Sequence, residues 1–282
     1  MEVVSTVNEL QVAIAAMRRS GKSLGLVPTM GALHEGHLSL VDASRRDCDV
    51  TVVTIFVNPT QFGAEEDLSK YPRPLASDLE KLRLRQVDLV FTPSRAEMYP
   101  PEHGTFVDVG AIALPLEGAF RPTHFRGVAT IVLKLFNLIQ ADRAYFGQKD
   151  FQQSLVIKRM VADLNVPIEV RVCPTVRAAD GLAMSSRNSY LSPTERTRAI
   201  AIFASLNEAK QMVEQGERNA ASVLARMRST LMEAGVSEID YAILAHLHTL
   251  QSVETINGPT LAAIAARVGT TRLIDNEILK PQ

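Results

Sequence analysis

Apolar and polar positions follow two regimes along the chain. As far as about residue 176, short apolar runs alternate with stretches of helical spacing. Residues 24–27 form one run, ended by Pro28. Residues 50–57 are β-branched or apolar throughout, which is the pattern of a strand buried on both faces of a parallel sheet. Residues 87–91, 144–146 and 167–173 predict three further strands. Between the strands, residues 38–46, 78–85, 127–140 and 150–164 predict helices. In the third of these, Val128, Ile131, Val132, Leu135, Leu138 and Ile139 follow i, i+3, i+4, i+7 spacing, an apolar stripe facing a core. Asp150 suits an N-cap. Repeated strand–helix–strand units predict an α/β fold with a mainly parallel sheet and right-handed crossovers. In such sheets ligands bind beyond the carboxyl ends of the strands.

Beyond residue 176 the texture changes. Residues 193–216 predict a long helix with Ser192 as N-cap and Pro193 at its first position. Residues 219–235 predict a second helix, N-capped by Asn219, and residues 238–244 and 267–274 predict strands of a small sheet. The expectation is a large domain over residues 1–176 and a small α+β domain over residues 177–282. A length of 282 residues suits one large and one small domain.

Composition narrows the function classes. The formal net charge is −1, aromatics make up 5% and Trp is absent, so neither the basic excess nor the stacking platform of a nucleic-acid binder is in view. Cys48 and Cys173 lie far apart and outside any C-x-x-C spacing, which argues against a zinc site or a disulfide framework and suits a reducing cytoplasm. The first residues lack a basic segment followed by an apolar one. The longest apolar stretch, residues 128–139, is broken by Lys134 and Asn137, so no membrane span is expected.

Five stretches carry chemistry. Residues 28–37 read Pro-Thr-Met-Gly-Ala-Leu-His-Glu-Gly-His between a predicted strand and a predicted helix. Glycine permits close backbone approach to a phosphate, and a helix start aims N–H groups and positive dipole at an anion. His34 and His37 could donate to charge building on a leaving pyrophosphate; the same pair could equally cap the turn and the helix. The spacing is not that of an H-E-x-x-H metal site. Residues 184–188, Met-Ser-Ser-Arg-Asn, offer two hydroxyls and a guanidinium for polyphosphate on a flexible segment, or a solvated loop. In residues 146–153, Gly147 stands at a strand-to-helix turn. Lys149 suits a phosphate, Asp150 suits a ribose hydroxyl or the helix cap, and Gln153 lies one turn on. Asn58 and Gln61 follow the most apolar strand as uncharged readers of hydroxyls and carboxylate. Arg121, His124 and Arg126 precede the amphipathic helix.

The H-x-G-H pattern resembles the signature of class I aminoacyl-tRNA synthetases and related nucleotidylyltransferases, in which a Met-Ser loop is the usual companion. Taken in order, residues 28–37, 55–62, 71–73, 117–128, 146–153, 180–188 and 272–276 resemble the pantothenate synthetase family over nearly the whole chain. Gln148 departs from the Glu that many members carry. The resemblance implies a Rossmann-like domain with helices on both faces of its sheet, a small C-terminal lid domain and a homodimer. It also implies joining of pantoate to β-alanine through a pantoyl adenylate, with ATP as substrate and Mg²⁺ as companion. ATP is expected against Met30, Gly31, Ala32, Leu33, His34, Glu35, Gly36 and His37, against Gly147, Gln148, Lys149 and Asp150, and against Met184, Ser185, Ser186 and Arg187, with Val176 near the adenine. His37, His34, Lys149 and Arg187 are the expected catalytic groups. Gln61 and Gln153, with Asn58, Phe56 and Arg121, are expected at the other substrates, and Asp78 near the metal. The rivals are a nucleotidylyltransferase that leaves AMP on its product and a non-catalytic ATP sensor.

Overall fold

The computed structural model describes residues 1–63 and 66–281. Two compact units emerge from it. One comprises Met1–Gln148 and Gln152–Pro174; the other comprises Lys149–Phe151 and Thr175–Gln282.

The first unit runs β1 (Glu2–Val4), α1 (Val7–Arg19), β2 (Leu24–Thr29), α2 (Glu35–Asp47), β3 (Val50–Ile55), α3 (Leu75–Leu84), β4 (Leu89–Phe91), α4 (Arg95–Met98), α5 (Glu117–Phe120), α6 (His124–Ile139), β5 (Arg143–Gly147), α7 (Phe151–Asp163) and β6 (Glu169–Cys173). Its six strands lie in the order β1-β4-β3-β2-β5-β6, all parallel. Alternate strand residues face opposite layers. Leu26, Val52 and Leu89 pack with Leu10, Phe136 and Met160 of α1, α6 and α7, whereas Val27, Val53 and Val90 pack with Val41 and Leu82 of α2 and α3. This is the Rossmann-like architecture, with helices on both faces of the sheet.

Pro28 does not end its strand, as the apolar run had suggested: it pairs in register with Thr54 of β3. On the other side β5 pairs only with Gly25 and Leu26, so no ladder there needs an N–H from Pro28. The short pairing also lets β2 and β5 part before their carboxyl ends. Sequence order reverses between these two strands, so a crevice opens at the switch point.

The second unit holds α8 (Pro193–Glu214), α9 (Ala220–Glu233) and an antiparallel sheet of β7 (Glu238–His246), β8 (Thr260–Val268) and β9 (Thr271–Leu279). Ser192 caps α8 through a reciprocal bond with Glu195. Leu206, Ala209 and Val213 of α8 and Val223, Met227 and Leu231 of α9 pack against the alanine-rich β8. The expected strand over residues 267–274 is corrected here. Val268 pairs with Thr271 across a two-residue turn with Gly269 at φ +59°, so that stretch holds the end of one strand and the start of the next.

Candidate functional site

The loop after β2 makes a tight turn into α2. Gly31 and Ala32 both take left-handed backbone, at φ +83° and +50°. A β-carbon on Gly31 would sit 3.0 Å from Ile55 and 3.2 Å from Asp78. The N–H groups of Ala32 and Leu33 donate to the two carboxylate oxygens of Asp78, at 2.7 and 2.8 Å. The Leu33 side chain is buried in the core, and Glu35 is exposed and paired with Arg85 at 2.9 Å.

His34 and His37 stand together at the head of α2, their ring centroids 4.1 Å apart. His34 Nδ1 accepts from the Gly36 N–H at 3.1 Å, and His37 Nδ1 accepts from the His34 N–H at 3.4 Å. The capping alternative therefore holds. It has a chemical consequence: an Nδ1 that accepts a hydrogen bond carries no proton, so in the neutral ring the proton sits on Nε2. Two imidazoles with their Nε2–H donors set this way stand at the positive end of a 13-residue helix.

The loop after β3 is organised around a buried asparagine. Asn58, 1% exposed, donates through Nδ2 to Gln61 Oε1 and the Gly127 carbonyl, both at 3.1 Å. Its Oδ1 accepts from the Thr60 hydroxyl and the Tyr99 hydroxyl, both at 2.9 Å. Both hydrogens of the amide are committed within the protein, and Asn58 supports the Gln61 side chain. Gln61 in turn donates from Nε2 to the Met30 sulfur at 3.0 Å, linking the two loops. Gly127 is required where α6 meets this loop, because a β-carbon there would lie 2.4 Å from the Thr60 carbonyl oxygen.

Arg121 and His124 hold the Gln61 backbone. His124 Nδ1–H donates to the Gln61 carbonyl at 2.9 Å, and Arg121 Nη1 donates to His124 Nε2 at 3.3 Å. Burial, reinforced by the Arg121 charge, pulls the His124 pKa down to about 4, so the ring is neutral at pH 7, as this bonding requires. Arg121 forms a forked pair with Glu66 at 2.9 and 2.6 Å. Burial works to raise the Glu66 carboxyl, but the bonds and charge of Arg121 outweigh it and hold it below its usual range. The guanidinium expected to face substrate is thus engaged with Glu66. Phe56, buried against Tyr99, lines a cavity of about 450 Å³ together with Met30, Gly31, Pro59, Arg73 and Asp78. Gln153 lies in the first turns of α7, half-buried, and Gly147 closes β5 facing open space.

In the second unit the segment leading to Met184 is less free than its composition suggested. Arg177 bridges Ala183, the Met184 N–H donates to the Val176 carbonyl at 2.9 Å, and residues 176–184 form a small hairpin. The Arg177 guanidinium forks onto Asp275 of β9, with Nη2–Oδ1 at 3.1 Å, and stacks over Phe203 at 4.1 Å. Asp180 pairs with Arg196 at 2.7 Å. Ser185 then caps a 3₁₀ turn, Ser186–Tyr190, by accepting from the Arg187 N–H at 3.3 Å. Asn276, next to Asp275, donates to the Lys149 carbonyl at 2.8 Å. In the sequence, residues 272–276 stand only as a matching motif. Asp275 and Asn276 turn out to anchor Arg177 and Lys149.

Among the described residues, no group of three or more His, Cys, Asp or Glu is placed to hold a metal ion, and no helix is long and apolar enough to cross a membrane.

Comparison with known proteins identifies the family. The family model for pantoate-β-alanine ligase matches residues 2–278. A pantothenate synthetase from Roseiflexus castenholzii is 55% identical over 99% of this chain and 100% of its own length. The crystal structure of the enzyme from Thermus thermophilus superposes with a TM-score of 0.95 at 44% identity, covering 100% of both chains. That of the ligase from Francisella tularensis, complexed with β-γ ATP and β-alanine, gives a TM-score of 0.83 at 33% identity over 99% of this chain and 97% of that one. The chain belongs to the pantoate-β-alanine ligase family, whose activity, the ATP-dependent joining of pantoate and β-alanine, it carries.

Proposed function

We propose that the ligation runs in two half-reactions through a pantoyl adenylate. A carboxylate is a poor acyl donor, because oxide would have to leave. Pantoate first attacks the α-phosphorus of ATP in line, the bond to the bridging oxygen breaks, and pyrophosphate leaves. This step needs positioning and charge stabilisation more than covalent help from the protein. The neutral amine of β-alanine then attacks the acyl carbon, the acyl–phosphate bond breaks, AMP leaves, and the ammonium proton passes to solvent.

The observation that supports this most is the histidine pair at the head of α2, with each Nδ1 accepting a backbone N–H. Both Nε2–H groups are then donors for charge that grows on the departing pyrophosphate, with His37 the principal one. Lys149, Ser185, Ser186 and Arg187 are read as further phosphate contacts, Met30, Gly31, Gly36, Gly147, Gln148 and Asp150 as the ATP backbone and ribose contacts, and Val176 with Met184 as neighbours of the adenine. Gln61 and Gln153, with Phe56, are read as the pantoate residues, and Gln61 also as a neighbour of β-alanine. The Francisella relative's bound β-γ ATP and β-alanine support the same ligands here.

Mg²⁺ is expected with ATP, but Asp78 is a poor site for it, since the side chain is 1% exposed and each carboxylate oxygen already accepts a backbone N–H group. A small ion carried mainly by the substrate's phosphates needs no dedicated cage. A homodimer, a cytoplasmic setting and a lid role for residues 177–282 follow from the family resemblance.

Order of addition tests the two-step reading. With ATP and pantoate alone, pyrophosphate should appear in a burst of about one equivalent per site while AMP stays bound as the adenylate. Adding β-alanine should then release AMP. AMP released at the same rate without the amine would favour a nucleotidyl transfer or simple hydrolysis and contradict the ligase sequence.

A further inference from the structure

Asp78 is 1% exposed and lies on α3, 46 residues from Ala32 in sequence. Two consecutive left-handed residues turn the N–H groups of Ala32 and Leu33 into one concavity, a form of backbone that collects anions. The anion that fills it is the Asp78 carboxylate, one oxygen per N–H. Lys81, one turn along α3, donates from Nζ to the Leu33 carbonyl at 2.6 Å. Leu33 is thereby gripped at both its backbone polar groups, and His34 is the next residue. Arg85, at the C-cap of the same helix, reaches Glu35 at 2.9 Å and also pairs with Asp42, both on α2. Side chains at 78, 81 and 85 thus hold the turn from one side and the helix it leads into from the other.

We propose that Asp78 is a positioning residue for adenylation rather than a metal ligand: it imposes the left-handed turn that aims His34 and His37. The proposal rests on the adenylation reading of that turn. A metal at the carboxylate would compete for charge with two charge-assisted hydrogen bonds, one on each oxygen, at a side chain only 1% exposed. The two roles also differ in what they predict for the variant. A metal ligand sets the dependence on Mg²⁺ concentration, whereas a positioning residue sets the shape of the turn.

The test uses the full chain and Asp78→Asn, which keeps the size but presents an NH₂ to one of the two N–H groups. Amide exchange followed by NMR should accelerate at Ala32 and Leu33 on the order of tenfold, while Val52 and Val53 in β3 stay protected. Pantoate-dependent exchange of pyrophosphate into ATP should lose kcat by about 100-fold. The KM for pantoate should move less than about threefold, with the Mg²⁺ midpoint unchanged. Lys81→Met, which removes the Leu33 carbonyl contact and the 4.0 Å ion pair with Asp78 but leaves both Asp78 hydrogen bonds, should give a smaller kcat loss of the same kind and keeps the test open if Asp78→Asn fails to fold. Unchanged amide exchange at Ala32 and Leu33 would overturn the proposal. So would activity of Asp78→Asn restored by raising Mg²⁺. Absence of pantoate-dependent exchange in the wild type would instead sink the adenylation reading, and the amide-exchange result would still decide what Asp78 does to the turn.

Discussion

The two units hold the loops that carry their candidate site residues by different means. In the first, a carboxylate 1% exposed takes two backbone N–H groups, and the histidines are set by bonds to their own helix start. In the second, Arg177 is held by an ion pair and an aromatic face, Asp180 by the partly exposed Arg196, and Lys149 only by its carbonyl oxygen. Neutral donors around a buried anion are little affected by salt, and the geometry they impose is narrow. Of the second unit's pairs, Arg196–Asp180 is partly exposed and so screened and weak, whereas Arg177–Asp275 is largely buried. On the proposed reading, the difference teaches that the first unit fixes the geometry of the adenylation step, while the second positions Lys149 through its backbone carbonyl.

Breaking the first unit's arrangement should cost most. His37→Ala should lower the rate of pantoate-dependent pyrophosphate exchange by about 10²–10³-fold, the scale for removing one donor to a developing anion. The melting temperature should stay near the wild-type value, because His37 is only part-buried and its capping bond is long, at 3.4 Å. A near-normal exchange rate would remove His37 from the mechanism.

The Gln61 support gives a pH signature of the first unit alone. His124 has its pKa lowered from 6.5 to about 4, by burial first and by Arg121 second, with Glu117 and Glu66 pulling the other way. A group whose folded pKa is depressed contributes stability above the unfolded value and loses it as pH falls towards the folded one. Wild-type unfolding free energy should therefore fall by about 3 kcal/mol between pH 6.5 and 4 on this account. His124→Gln keeps a donor and an acceptor but cannot titrate, so denaturant titrations at the two pH values should show that much less loss. Equal losses would mean that His124 is not held neutral.

The smallest effect belongs to the second unit. Asn276→Ala removes the donor to the Lys149 carbonyl and leaves the lysine itself in place. The KM for ATP should rise on the order of tenfold, with the KM for pantoate unchanged. A rise in the pantoate KM instead would assign Lys149 to the wrong substrate.

Much of this was legible in the sequence. Short apolar runs marked β2 to β5, because a strand covered on both faces has no polar side to alternate with, whereas the edge strand β6 alternates Glu169 and Arg171 with Val170 and Val172. The spacing of Val128, Ile131 and Leu135 marked α6 through its single buried stripe. Other elements carried weaker signals. β1 is three residues long, and β8 is rich in alanine, which has little intrinsic strand preference. What neighbouring residues did not encode was the support: Asp78 meets Ala32 across 46 positions and Asn276 meets Lys149 across 127. The same gap hides the partners of Asn58 and Arg121, namely Gly127, Tyr99 and Glu66, which residue type alone did not announce. Gln61 stood in a recognisable motif, but what holds it comes from three other segments of the chain.

The most direct measurement is exchange of labelled pyrophosphate into ATP, with pantoate present and β-alanine left out. Adenylation as a separate first step requires label to enter ATP under these conditions, to depend on pantoate, and to fall sharply in His37→Ala. Exchange that appears only when β-alanine is added, or that proceeds without pantoate, would contradict it.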